Sequence, residues 1–157
     1  MSSLGGTGAN TMRGAGWLGM FIALAVVGER AWAEEIVWLH DTETAWQQCV
    51  GEQRLLLLFV TRPNCKYCAQ MKNVTFADEK VRELVGAGFV PLAIDPASNP
   101  ELIKELRIAA YPTTLVISPE SGLLDRFKGY LPPAEFQRRL NRSRVQSTAK
   151  RPQSSRR

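Results

Sequence analysis

The stretch Leu55-Leu56-Leu57-Leu58-Phe59-Val60-Thr61-Arg62-Pro63-Asn64-Cys65-Lys66-Tyr67-Cys68-Ala69-Gln70-Met71-Lys72 changes its backbone preference halfway along. Leu55 to Val60 is apolar without interruption. Its length predicts a strand, and its lack of alternation predicts one covered on both faces. Thr61-Arg62-Pro63-Asn64 breaks that strand. Good helix formers then follow, so Cys65 opens a helix that carries Cys68 and Met71 one turn along.

Two cysteines three apart at a helix start bring both sulfurs to one side, close enough to close a small ring, and this geometry permits reversible oxidation. Cys65 lies where unpaired backbone N–H groups and the positive end of the helix dipole stabilise a thiolate. It is therefore the attacking sulfur. Cys68, one turn inside, is more shielded and resolves the mixed disulfide that Cys65 forms with a substrate. Of the neighbouring cations Arg62, Lys66 and Lys72, Lys66 is credited with a modest effect on the thiolate. Two other readings stand beside a redox pair: a permanently closed structural disulfide and half of a zinc site. The short loop gives the first little entropic stabilisation. Tetrahedral zinc needs four ligands, and only His40 and Cys49 remain to offer. No metal or organic cofactor is expected.

Outward from this stretch, Glu35 to Leu39 is a short apolar segment. A helix then follows from Asp41, with Trp46, Cys49 and Val50 at i, i+3, i+4 spacing turned inward. Cys49 reads there as a small core hydrophobe, and His40, the single histidine, as a loop or capping residue. Beyond the dithiol, Asp78 to Val85 reads as a helix stopped by Gly86-Ala87-Gly88. Phe89 to Ile94 reads as a strand, in which Pro91 requires a place where one amide is not needed. Asn99 and Pro100 open a helix to Arg107. Thr113 to Ser118 and Leu123 to Lys128 form an antiparallel hairpin across Pro119-Glu120-Ser121-Gly122. Pro132-Pro133 starts a last helix, with Phe136 and Leu140 on one side, that ends near Asn141. The fold class is α/β, a mixed central sheet with helices on both faces.

The chain has 157 residues and a net charge of +5, a balance that invites a nucleic-acid reading until it is located. Arg142, Arg144, Lys150, Arg151, Arg156 and Arg157 follow Asn141, where there is no acid. From Glu34 to Asn141 there are 12 Lys or Arg against 14 Asp or Glu, a net of −2. The basicity belongs to a tail, residues 142–157, whose Ser, Gln and Arg content predicts disorder. No aromatic-plus-basic face accompanies it, and no nucleic-acid partner is expected. At the other end, Arg13, the apolar run Trp17 to Val27 and Ala31-Trp32-Ala33 form the pattern of a cleaved export signal over residues 1–33. The run is short of the ~20 residues that span a bilayer. One domain, residues 34–141, is left between signal and tail.

Taken together, the apolar strand into Cys65-Lys66-Tyr67-Cys68, the Ile94-Asp95 strand end, and Tyr111-Pro112-Thr113-Thr114 before a hairpin and final helix resemble the thioredoxin superfamily. The chain is most similar there to the exported thioredoxin-like group that includes the C-terminal domain of DsbD-type reductases. Met71, Thr75-Phe76, Val81 and Gly129-Tyr130 carry that likeness. The resemblance implies a thioredoxin-like three-layer fold, and a cis Tyr111-Pro112 peptide facing the dithiol where the Tyr111 backbone pairs with an extended substrate. Together with the export pattern it points to a periplasmic or secreted thiol:disulfide oxidoreductase acting on protein thiols or disulfides, served in oxidising surroundings by a membrane-bound electron donor or acceptor; the sequence leaves the direction open between reductase, oxidase and isomerase, with reductase slightly favoured. Three positions depart from the thioredoxin pattern. Asn64 replaces a tryptophan, Lys66-Tyr67 replaces Gly-Pro, and Phe59 replaces the buried acid that takes a proton from the resolving cysteine. The loss of that acid leaves room for a different class of function, a binding module that holds a partner chain or Cu(I) on its thiolates.

Overall fold

The computed structural model describes residues 35–150. The chain order is α1 (Thr42–Glu52), β1 (Leu55–Val60), α2 (Lys66–Gln70), a π-helical turn (Met71–Thr75), α3 (Glu79–Gly88), β2 (Phe89–Ile94), α4 (Pro100–Glu105), β3 (Thr113–Ser118), β4 (Gly122–Lys128) and α5 (Pro133–Lys150). The sheet runs β2-β1-β3-β4. β1 is parallel to β2 and antiparallel to β3, and β4 returns antiparallel on β3 with a bulge at Val116/Ile117.

All six residues of β1 are buried, as the unbroken apolar run requires. Leu55, Leu57 and Phe59 enter one core with Cys68, Met71, Val85, Phe136 and Leu140, under α2, α3 and α5. Leu56, Leu58 and Val60 enter a second core with Ala45, Cys49 and Ile108, under α1 and α4. A buried Leu contributes about 1.5–3 kcal/mol, so this strand anchors both layers. Its C-terminal end consequently has a fixed position in space.

Pro91 lies inside β2 without loss. Leu39 makes an isolated parallel bridge to Leu92, donating to the Pro91 carbonyl at 2.9 Å and accepting from Ala93 N–H at 2.9 Å. The missing Pro91 amide points to the same outer side and is bypassed by this pair. Residues 35–39 thus add one bridge to the sheet edge and no further strand.

Three expectations are corrected. In α1 the inward residues are Ala45 and Cys49, whereas Trp46 and Val50 are 40% and 54% exposed. The i, i+4 pair of small residues lets the helix lie close to the sheet, and the larger side chains take the solvent side. α3 does not stop at Gly86 but runs through Gly88 directly into β2. Arg54 closes its C-terminal end by donating to the carbonyls of Gly86 (2.9 Å) and Phe89, a cation at the negative pole of the helix. Gly88 serves close approach, since a Cβ there would meet Arg144 Nε at 3.2 Å.

The last helix does not end near Asn141 but continues to Lys150, so residues 142–150 of the expected disordered tail are helical. Ser143 is buried, with its hydroxyl donating to the Arg139 carbonyl at 3.1 Å. Arg139 fixes the helix to β4 through a bidentate pair with Asp125 (2.8 and 2.5 Å) while lying 4.8 Å over the Phe127 ring. The expected signal segment, residues 1–33, and the tail beyond Lys150 lie outside the described residues.

Candidate active site

β1 delivers the chain to the dithiol. Thr61 N–H donates to the Ile94 carbonyl at 3.1 Å, holding the strand end against β2. Asn64 then takes a left-handed conformation (φ 54°), which Asn tolerates better than most residues, and the turn it makes sets Cys65 at the N-cap of α2. Cys65 is extended, and its Sγ accepts from the Cys68 amide at 3.2 Å. The sulfur occupies the place of a capping oxygen, facing the unpaired amides of the first turn. A thiolate at this position is stabilised by those N–H groups.

The pair is closed as a disulfide, with an S–S distance of 2.05 Å and a Cα–Cα distance of 5.2 Å. Its two sulfurs live in different surroundings. Cys65 is half-buried at the rim of an open groove, while Cys68 is 2% exposed and packs in the Phe59 core. Of the two, only the Cys65 sulfur lies where a molecule in the groove can reach it.

After Gln70 the helix widens, and Phe76 N–H donates to the Met71 carbonyl five residues back at 2.9 Å. The change of phase buries Met71, Thr75 and Phe76 together. Thr75 Oγ1 donates to the Leu131 carbonyl at 2.5 Å, and Leu131 N–H reaches the Met71 Sδ at 3.4 Å. The dithiol helix is thereby fastened to the loop ahead of α5. Sequence reading gave an ordinary helix here, and nothing in Met71 to Thr75 announces the π turn.

Tyr111-Pro112 is a cis peptide. Thr113 pairs with Val60, so this peptide lies at the same end of the sheet as the dithiol loop. Pro112 accepts from Gly129 N–H at 2.7 Å, and Thr113 Oγ1 donates to the Ala110 carbonyl at 2.7 Å, which together fix the turn. Among the described residues, Tyr111 supplies neither donor nor acceptor to the backbone bonds outside helices and strands. Arg62 connects the two halves of the site. It lines the dithiol groove, and its guanidinium carbon lies 5.2 Å from the centroid of the Tyr111 ring. Its place was hidden in the sequence, since the two residues are far apart along the chain.

Phe59 is buried where the resemblance leads one to look for an acid. It packs edge-on against Phe76 at 4.9 Å and at a 44° tilt against Trp38 at 5.6 Å. His40 is exposed, and its Nδ1 bonds the Ala93 carbonyl at 3.0 Å. It lines an aromatic cavity of about 360 Å³ with Trp38, Phe59 and Phe76. Cys49 lies on the other side of the sheet, fully buried and free. Burial pushes its thiol up to about 11. Among the described residues no three His, Cys, Asp or Glu side chains cluster as a metal site.

The profile of the thioredoxin-like domain matches residues 42–144. Among solved structures, a thioredoxin from Thermus thermophilus shares 25% identity at a TM-score of 0.67, over 74% of this chain and 92% of that one. A protein described as DsbH oxidoreductase superposes at 0.61 with 17% identity, covering 92% and 96% of the two chains. The oxidised C-terminal domain of Neisseria meningitidis DsbD superposes at 0.58 with 20% identity, covering 68% and 99%. Comparison with curated proteins finds no match.

Proposed function

The chain belongs to the thioredoxin-like domain family, and from that premise we propose that it is an extracytoplasmic thiol:disulfide oxidoreductase working through Cys65 and Cys68 on protein substrates. One observation carries the reading: the two sulfurs are bonded yet unequal, one at a helix N-cap on an open groove and the other in the core.

In the reducing direction, the Cys65 thiolate attacks one sulfur of a substrate disulfide. A Cys65–substrate disulfide forms, and the second substrate sulfur leaves as a thiolate that takes a proton. Cys68 loses its proton and attacks Cys65 Sγ. The Cys65–Cys68 bond closes, and the first substrate sulfur leaves and is protonated. Two electrons have passed from the dithiol to the substrate, whose two thiols take one proton from Cys68 and one from solvent. Oxidation is the same sequence reversed, starting from the closed pair described here.

Tyr111 and Pro112 frame the substrate. The Tyr111 amide and carbonyl are left to pair with an extended segment laid across the groove, and Arg62 over the Tyr111 ring steadies that edge. Export rests on the signal pattern of residues 1–33, with cleavage after Ala33, and no described helix is long and apolar enough to cross a membrane. In such a compartment, sustained reduction draws electrons from a membrane-bound donor, and sustained oxidation requires a membrane-bound acceptor.

The deciding measurement is the equilibrium of the dithiol with glutathione, read by thiol alkylation, together with catalytic turnover of insulin. A potential between those of thioredoxin and DsbA, about −270 to −120 mV, with multiple turnovers, is the expected result. A pair that stays closed at every glutathione ratio would make the disulfide structural. Stoichiometric Cu(I) capture without turnover would make the chain a binding module.

A further inference from the structure

Three cations line the groove over the two sulfurs, and among the described residues no acid does. Arg62, Lys66 and Lys72 are exposed there, beside Cys65 and Cys68. None of the three is in an ion pair among the described residues, where the pairs are Arg54–Glu52 and Arg139–Asp125. This positive island runs against the composition of its surroundings, since residues from Glu34 to Asn141 carry more acids than bases. Arg62 is also held in place. Its guanidinium over Tyr111 carries the positive charge from the dithiol to the cis peptide, along the line an extended substrate would follow.

We infer that the protein segments exchanged at this site carry Asp or Glu next to their reacting cysteine. The inference rests on the exchange reading above and deepens it: the bonds made and broken are the same, and the substrate carboxylates act on encounter and on the lifetime of the mixed disulfide. A concentrated single-sign field over a groove raises the on-rate for the opposite charge and repels the like charge. The effect is screened by salt because all three cations are exposed.

The test uses three synthetic peptides with the same intramolecular disulfide, flanked by Asp and Glu, by Ser, or by Lys. Reduced protein is mixed with each, the rate of peptide reduction is followed by chromatography, and each rate is divided by that with dithiothreitol to remove intrinsic differences between the peptides. At about 20 mM salt the acidic peptide should react about tenfold faster than the serine peptide, and the lysine peptide slowest. The spread should shrink towards one at about 500 mM salt. In a K66E/K72E variant the order of acidic and basic peptides should invert, whatever the overall rate. Equal normalised rates for the three peptides, or an order untouched by the charge reversal, would overturn the inference. Absence of exchange with every peptide would instead overturn the oxidoreductase reading itself.

Discussion

Cys49 and Cys68 are both buried, and they pack against opposite faces of the same strand. Cys49 sits with Leu56, Leu58 and Val60 beneath α1, and burial pushes its thiol up to about 11. Cys68 sits with Leu57 and Phe59 beneath α2, and its sulfur is bonded to Cys65. Both sides are apolar, so apolar burial does not separate a free thiol from a paired one. The difference lies in the neighbour. Cys68 is bonded to a second sulfur at the groove rim, set there by a helix N-cap, while Cys49 is a free thiol that also feels the charges of Arg54 and Glu52.

The strongest way to break this contrast is to remove one sulfur at a time. Cys65→Ser should lower exchange by at least about a thousandfold, because the remaining thiol is buried and cannot meet a substrate disulfide. Cys68→Ser should still attack but should accumulate mixed disulfides, visible as a mass shift on non-reducing gels. Accumulation in the Cys65 variant instead would exchange the two roles.

A second variant sharpens the contrast on the Cys68 side. Phe59 supplies no base and excludes water beneath Cys68, which disfavours the thiolate needed for resolution. Phe59→Asp should speed the decay of a preformed mixed disulfide about a hundredfold, by general-base assistance at the lower end of its usual range. It should also cost about 3–5 kcal/mol of stability through lost aromatic packing, with the isolated charge adding to that. Phe59→Leu separates the two effects, since it trims packing but adds no base. Stopped-flow decay is compared among folded samples checked by circular dichroism. Equal decay in the Asp and Leu variants would mean that solvent already takes the proton.

The sheet was largely legible because its signals are local. β1, β2 and β3 begin and end where the apolar runs of Leu55–Val60, Phe89–Ile94 and Thr113–Ser118 do. The dithiol at the α2 start was legible for the same reason, whereas the cis Tyr111-Pro112 peptide was expected only from the family resemblance. Several of the misses depended on partners far along the chain. Gly86 and Gly88 look like a helix stop until Arg54, more than thirty residues earlier, is seen holding the α3 carbonyls. Ser143 and Arg144 look like the start of a disordered tail until Ser143 is buried against the domain and Arg144 lies over Gly88. Arg62 looks like one of three interchangeable cations until Tyr111 arrives beneath it.

The smallest expected effects come from Cys49 itself, and they test whether it stands outside the chemistry. Cys49→Ala should leave exchange within about twofold of the parent and lower stability by about 1–3 kcal/mol, the range for a core substitution. Its titration adds a finer signature. In the folded chain the thiol is held protonated up to about 11, while in the unfolded chain it ionises near its ordinary value of 9.0. Below pH 9 both states keep the proton, and the group adds no slope. Between about pH 9 and 11 the unfolded state releases a proton that the folded state retains, so unfolding gains and stability falls as pH rises. Parent protein should therefore lose stability across that window by more than Cys49→Ala does, and the gap between their denaturation midpoints should narrow. Urea titrations of both proteins at about pH 8, 9, 10 and 11, with the dithiol kept reduced, measure it. Parallel curves for the two proteins would show that Cys49 ionises alike in both states, and would require solvent or a charge beside the thiol.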